Sequence, residues 1–168
     1  MRPTRRSVLF VLLLLSLGAW VGLYAWERAH REDNYAEIED GLYVGGSVAE
    51  PPVGTRAVLN LCEVDDPYRC PIHVWEPIRD AAPAPDLAWL KRQVDFIADQ
   101  RANGAAVYVH CLNGVSRSVT VVTAYLMFER HWTRDEALAF VRTRRPIARP
   151  NRAFLDRLAE WEQVANKR

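Results

Sequence analysis

The sequence is short of cysteine and histidine and carries no excess of charge of either sign. Its three cysteines, Cys62, Cys70 and Cys111, are too few for a disulfide scaffold. Its four histidines are scattered without ligand spacing, so no metal or other cofactor is expected. With 22 Lys and Arg against 21 Asp and Glu, the formal net charge is +1, which removes the electrostatic case for a nucleic-acid partner. Internal repeats and low-complexity segments are absent, which excludes solenoids and leaves an ordinary mixed sequence.

Long uncharged runs are absent too, with one exception. Val8 through Trp26 holds no charged residue and is dominated by Leu, Val and Phe. As a helix it would be roughly 28 Å long, close to the ~30 Å hydrocarbon core of a bilayer. Trp20, Tyr24 and Trp26 fall toward its far end, where amphipathic rings favour the interface, and Arg2, Arg5 and Arg6 precede it. Residues 1–7 read as a basic N-terminus and 8–26 as an uncleaved single-pass membrane anchor. A cleaved signal peptide is the competing reading; the run is long for one, and bulky aromatics crowd the place where cleavage would fall. Arg28 and Arg31 follow the span closely, so charge bias barely orients it. A reactive thiol is easier to keep reduced in the cytosol, whereas in an oxidising compartment Cys62 and Cys70 could pair. The side of the membrane is left open.

Residues 27–35 are polar and read as a juxtamembrane linker, with one domain over 36–168. Leu42-Tyr43-Val44 before Gly45-Gly46, Ala57–Leu61, Ile72–Trp75 and Ala105–Val109 read as short strands. Leu87, Leu90, Val94, Ile97 and Arg101 recur at helical spacing, and Val119–Phe128 is apolar enough for a buried helix. Thr133-x-x-Glu136 is a capping box, and Pro150-Asn151 precedes a last helix lined by Phe154, Leu158, Trp161 and Ala165. Strands first and helices interleaved later predict an α/β domain with a mixed, largely parallel central sheet flanked by helices.

Between the strand ending at Val109 and the helix beginning near Val119 lies His110-Cys111-Leu112-Asn113-Gly114-Val115-Ser116-Arg117-Ser118. A loop entering a helix N-terminus turns several backbone N–H groups inward and adds the positive end of the helix dipole, a setting that binds tetrahedral anions. Arg117 would offer a planar fork to two phosphate oxygens. Cys111 in the same field is expected to ionise below an ordinary thiol. Gly114 allows the tight turn.

This segment resembles the H-C-x5-R-[ST] signature of the cysteine-dependent protein phosphatases, with a G-x-S-R-S ending most like the dual-specificity branch. Asn113 departs from it, because alanine is common there. Glu37–Gly45 is similar to the branch's opening strand, and Arg145-Pro146 with Pro150-Asn151 and Phe154-Leu155 to its closing pattern. The resemblance implies a phosphatase acting on phosphotyrosine and on phosphoserine or phosphothreonine in proteins. Cys111 would be the nucleophile, Arg117 the phosphate ligand along with the loop from Leu112 to Ser116, and Ser118 a hydrogen-bond donor to the departing thiolate. Mechanism then requires an acid from the proline-rich stretch Trp75–Asp86. Asp80 is similar in position to the family's general acid; Asp86 suits an N-cap, and Glu76 is the outsider. His110 would orient the loop or serve as a satisfied core residue. Some superfamily members carry a cysteine after a similar N-L-C strand that traps the oxidised nucleophile, which implies a redox role for Cys62; a small buried residue is the plainer reading. Two alternatives stand beside the protein phosphatase: a lipid or phosphoinositide phosphatase, suggested by the anchor, and an inactive phosphate-binding module. The uncharged loop interior speaks against the phosphoinositide.

Overall fold

A computed structural model of the protein describes Trp20 and residues 34–165. The expected basic N-terminus, membrane span and most of the linker therefore lie outside the described residues, apart from Trp20. Among the described residues no helix is long and apolar enough to cross a membrane.

Among the described residues five strands, β1 (Tyr35–Glu39), β2 (Leu42–Gly45), β3 (Thr55–Asn60), β4 (Ile72–Trp75) and β5 (Ala106–His110), form one sheet in the order β1-β2-β5-β3-β4. β1 runs antiparallel to β2, and every other pairing is parallel, so the sheet is mixed and largely parallel as expected. Its register aligns the strand ends. Gly45 pairs with His110, His110 with Asn60, and Asn60 with Trp75, so four strands end level along one edge. Loops leaving the carboxyl ends of parallel strands form the usual ligand site of such sheets.

β1 extends the fold beyond the sequence expectation, which kept residue 35 in the linker. Tyr35-Ala36-Glu37-Ile38-Glu39 is an edge strand in which Ile38 alone is fully buried, while Tyr35 packs half-buried against Tyr43 and Tyr108 on the other face. Glu39 instead receives bonds from Arg101 and Arg130. One fully buried residue in a stretch that mixes Tyr35, Ala36 and Ile38 with two glutamates is too weak a period-two signal to announce a strand.

Side chains alternate across the strands. Leu42, Val44, Ala57, Leu59, Val107 and Val109 join the main core, while Val58 and Tyr108 pack with Val48 in a second cluster, against Tyr35, Tyr43, Tyr68 and Cys70. The main core contains the apolar faces of α1 (Leu87–Ala102), α2 (Arg117–Arg130), α3 (Arg134–Arg144) and α4 (Arg152–Ala165). α2 is buried from Arg117 through Met127, the signature of a helix enclosed by its neighbours, and α1, α3 and α4 all pack on it. Asp86 caps α1 and the Thr133–Glu136 box caps α3, both as the sequence suggests.

Candidate active site

The loop from Cys111 to Ser116 is built by holding its carbonyls from outside. Cys111 N donates to Gly45 O at 3.2 Å, and Leu61 N donates to His110 O at 2.9 Å, which continues the strand pairing to the loop's first residue. Ser47 N donates to Leu112 O at 3.0 Å, and Arg149 N to Val115 O at 2.7 Å. The Arg145 guanidinium spans the middle, donating to Gly114 O and Asn113 O and to Asn34 Oδ1. With these carbonyls drawn outward, the peptide N–H groups are left for an anion at the centre. Gly114 adopts φ +64, and a Cβ there would strike the Gly45–Gly46 backbone and the Arg145 guanidinium. No other residue type fits.

Cys111 is buried at the base of this loop. Burial alone would raise its pKa. The Ser118 hydroxyl and N–H, the Arg117 charge and the Gly114 N–H together outweigh it, and hold the thiol below its ordinary value. Ser118 Oγ lies 3.4 Å from Cys111 Sγ and 3.0 Å from Gly45 O, and its one proton serves one of them at a time. Arg117, also buried, donates through Nη1 to Ile78 O at 2.9 Å and Leu61 O at 3.3 Å. Its Nε is buried and has no hydrogen-bond partner among the described residues, a donor left for a ligand oxygen. Glu63 approaches Arg117 only to 3.8 Å and is exposed.

The three acids of the Trp75–Asp86 stretch separate by geometry. Asp86 Oδ1 accepts Trp89 N, as an N-cap should, and Glu76 Oε2 accepts the Trp89 indole N–H. Asp80 alone reaches the loop: its Oδ1 accepts from Ser116 Oγ at 2.6 Å and from Asn151 Nδ2 at 2.7 Å. The same stretch is fastened to the sheet edge by Glu76 N on Asn60 O and Ile78 N on Leu61 O. The Ser116 hydroxyl is therefore committed to Asp80; what it can offer an anion is its backbone N–H. Leu112 and Asn113 are exposed at the rim, and Val115 is half-buried.

His110 is fully buried and belongs to a polar network behind the loop. Its Nε2 lies 3.0 Å from Asp66 Oδ2, its Nδ1 3.7 Å from Cys62 Sγ, and its ring stacks on Tyr108. Asp66 also lies 3.2 Å from His73 Nε2, without hydrogen-bond geometry. Burial, with the negative field of Cys111 next, pushes the Cys62 thiol up to about 12. All three cysteines are free; Cys62 faces His110, while Cys70 lies against Thr55 O, so the pairing of these two considered from sequence is not formed.

Three contributors escaped the sequence reading: Asp66 behind His110, Arg145 around the loop, and Asn151 against Asp80. Arg145 and Asn151 were visible only as parts of a closing pattern, and Asn151 as a helix start; their second partners lie far off in sequence. Asp66 had no signal at all in a charged turn.

Residues 54–164 match the dual specificity phosphatase catalytic domain. Dual specificity protein phosphatase 1 of Arabidopsis thaliana is 35% identical over 146 residues, covering 81% of this chain and 73% of that protein. Tyrosine-protein phosphatase yvh1 of Schizosaccharomyces pombe is 42% identical over 145 residues, covering 80% of this chain and 44% of that protein. Among solved structures, human DUSP28 superposes with a TM-score of 0.71 at 28% identity, covering 78% of this chain and 94% of that one. With its loop, buried thiol and guanidinium in one cradle, the chain belongs to the dual-specificity phosphatase family and is a cysteine-dependent protein phosphatase.

Proposed function

We propose that the protein removes phosphate from phosphotyrosine, and from phosphoserine or phosphothreonine, in two steps at Cys111. Phosphoryl oxygens are bound by the loop amides of residues 112–116 and by the Arg117 fork, whose unpartnered Nε supports this role. The Cys111 thiolate forms an S–P bond as the ester P–O bond breaks, and Asp80 gives its proton to the leaving oxygen. Water then attacks the cysteinyl phosphate, its proton passing to Asp80, and the S–P bond breaks to regenerate a thiolate that Ser118 stabilises. His110, fixed by Asp66 and Cys62, holds the strand end from which Cys111 projects.

One observation carries this reading: the only acid of its loop that contacts the signature segment, Asp80, does so through Ser116, next to Arg117. Against a phosphoinositide substrate stands the loop interior, where Leu112, Asn113, Gly114, Val115 and Ser116 supply no cation for a second phosphate. Against an inactive module stands the complete set of Cys111, Arg117 and Asp80. The apolar run over residues 8–26 supports attachment to a membrane as a single-pass anchor, on the strength of sequence alone. Turnover of phosphotyrosine, phosphoserine and phosphothreonine peptides beside short-chain phospholipids, with Cys111→Ser as the blank, tests the proposal. Faster turnover of a phospholipid, or undiminished turnover by Cys111→Ser, would overturn it.

A further inference from the structure

Asn151 performs two tasks with one amide. Its Oδ1 accepts Phe154 N at 3.0 Å, which caps the start of α4, and its Nδ2 donates to Asp80 Oδ1 at 2.7 Å. The cap fixes which end is which: an oxygen must face the Phe154 N–H, so the nitrogen must face Asp80. Its backbone N–H donates to Ser116 Oγ at 3.1 Å, and Ser116 Oγ in turn gives its only proton to Asp80 Oδ1 at 2.6 Å. Asp80, Ser116 and Asn151 thus close a ring in which every donor direction is determined.

We infer that Asn151 is a positioning residue for Asp80, confining the transferable proton to Oδ2 and aiming that oxygen relative to the phosphate loop. Two donors converge on Oδ1, so a proton placed there would oppose both; Oδ2 is the oxygen that can carry it. Asp80 is exposed, on an irregular proline-rich stretch with no ladder of its own to hold its side chain. The order comes from elsewhere. α4 is anchored in the core by Phe154, Leu158 and Trp161, and Trp161 Nε1 donates to Ala124 O in the middle of α2. α2 also begins with Arg117. One helix pair therefore sets the distance between the phosphate ligand and the acid, and Asn151 is the side chain that passes this register to Asp80.

The inference rests on the reading of Asp80 as general acid, and its test separates the two. An acid matters in proportion to the basicity of the leaving oxygen. The full chain is assayed for kcat/KM on aryl phosphates whose phenols span pKa ~7 to ~10, the upper end matching tyrosine. Asn151→Ser keeps a cap acceptor and removes the donor to Asp80; Asn151→Asp keeps the shape and replaces the donor with an opposing carboxylate. Both should show a loss that grows along the series, reaching roughly tenfold or more for the most basic phenol, the scale of a hydrogen bond to a charged group. Asp80→Asn should show a steeper dependence, and adding Asn151→Ser to it should cost little more, because the two act as one unit. Thermal midpoints are measured alongside, and whichever Asn151 variant keeps its midpoint is the one compared. A uniform loss across the series, or additive losses in the double variant, would overturn the role of Asn151 while Asp80 keeps its steep dependence. A flat series for Asp80→Asn would instead remove the acid assignment on which the inference stands.

Discussion

A sulfur atom excluded from water is a poor anion, and Cys111 ionises readily only because four sources of positive potential converge on it. Ser118 contributes most to the lowering, and its hydroxyl can turn between Gly45 O and Cys111 Sγ. Ser118→Ala removes the donor and leaves burial in place, so the thiol pKa must rise. Activity needs the thiolate, so the acidic limb of kcat/KM moves to higher pH while the alkaline side is less affected. The pH dependence of inactivation by iodoacetamide, followed in both forms, reads the shift directly. Cys62 differs in kind: pushed up to about 12, it stays a thiol at neutral pH, 3.7 Å from His110 Nδ1. If peroxide converts the Cys111 thiolate to a sulfenic acid, attack by Cys62 would form a disulfide and expel water. Peptide mapping after mild peroxide should find a Cys62–Cys111 linkage, and dithiothreitol should restore activity. Cys62→Ser should lose that recovery and drift to irreversible oxidation; absence of the linkage in the unaltered protein would end the redox reading.

Among the elements, the phosphate loop has no ladder of its own and depends on Arg145, the residue after α3. Arg145→Lys retains charge but not the planar fork that reaches Gly114 O, Asn113 O and Asn34 Oδ1 together. Arg145→Ala should destabilise by roughly 2–4 kcal/mol, through buried carbonyls left unpaired, with lysine in between. Urea denaturation measures this, and KM should rise before kcat falls, since the loop amides bind phosphate in ground and transition states alike. The elements also show where the sequence was legible. α2, the parallel strands and the two capped helices announce themselves by apolar runs or by local capping chemistry. The Cys111 loop is legible because its chemistry is packed into one contiguous segment. β1 is legible only through the resemblance of Glu37–Gly45, because its periodicity is weak with Ile38 its one fully buried residue, and Arg145 is not, because a fork onto carbonyls about thirty residues away leaves no local pattern. Asp66 is illegible for the same reason: only folding brings it to His110.

At the scale of the whole molecule, the level ends of β2, β5, β3 and β4 define one edge, and the folded unit begins beside that edge rather than away from it. Asn34 is its first residue, and it already serves the loop: its carbonyl accepts Gly46 N at 2.8 Å and its side chain accepts Arg145 Nη2 at 2.7 Å. Where the chain is cut should therefore matter sharply. A form comprising residues 34–168 keeps β1, both Asn34 contacts and the complete cradle, and its kcat/KM on a soluble phosphopeptide should equal that of the full chain within about twofold, a difference well under ~1 kcal/mol. A form starting at residue 40 exposes the edge of β2, leaves Glu39's partners Arg101 and Arg130 without it, and strips Arg145 of an acceptor. It should melt lower and lose most of its activity. The same pair of proteins tests the anchor: the full chain should sediment with membranes and withstand alkaline carbonate, whereas residues 34–168 should stay in the supernatant. Release of the full chain by carbonate would reject a membrane-spanning segment over residues 8–26 and leave the catalytic assignment standing, because the described contacts that shape the cradle lie within residues 34–165.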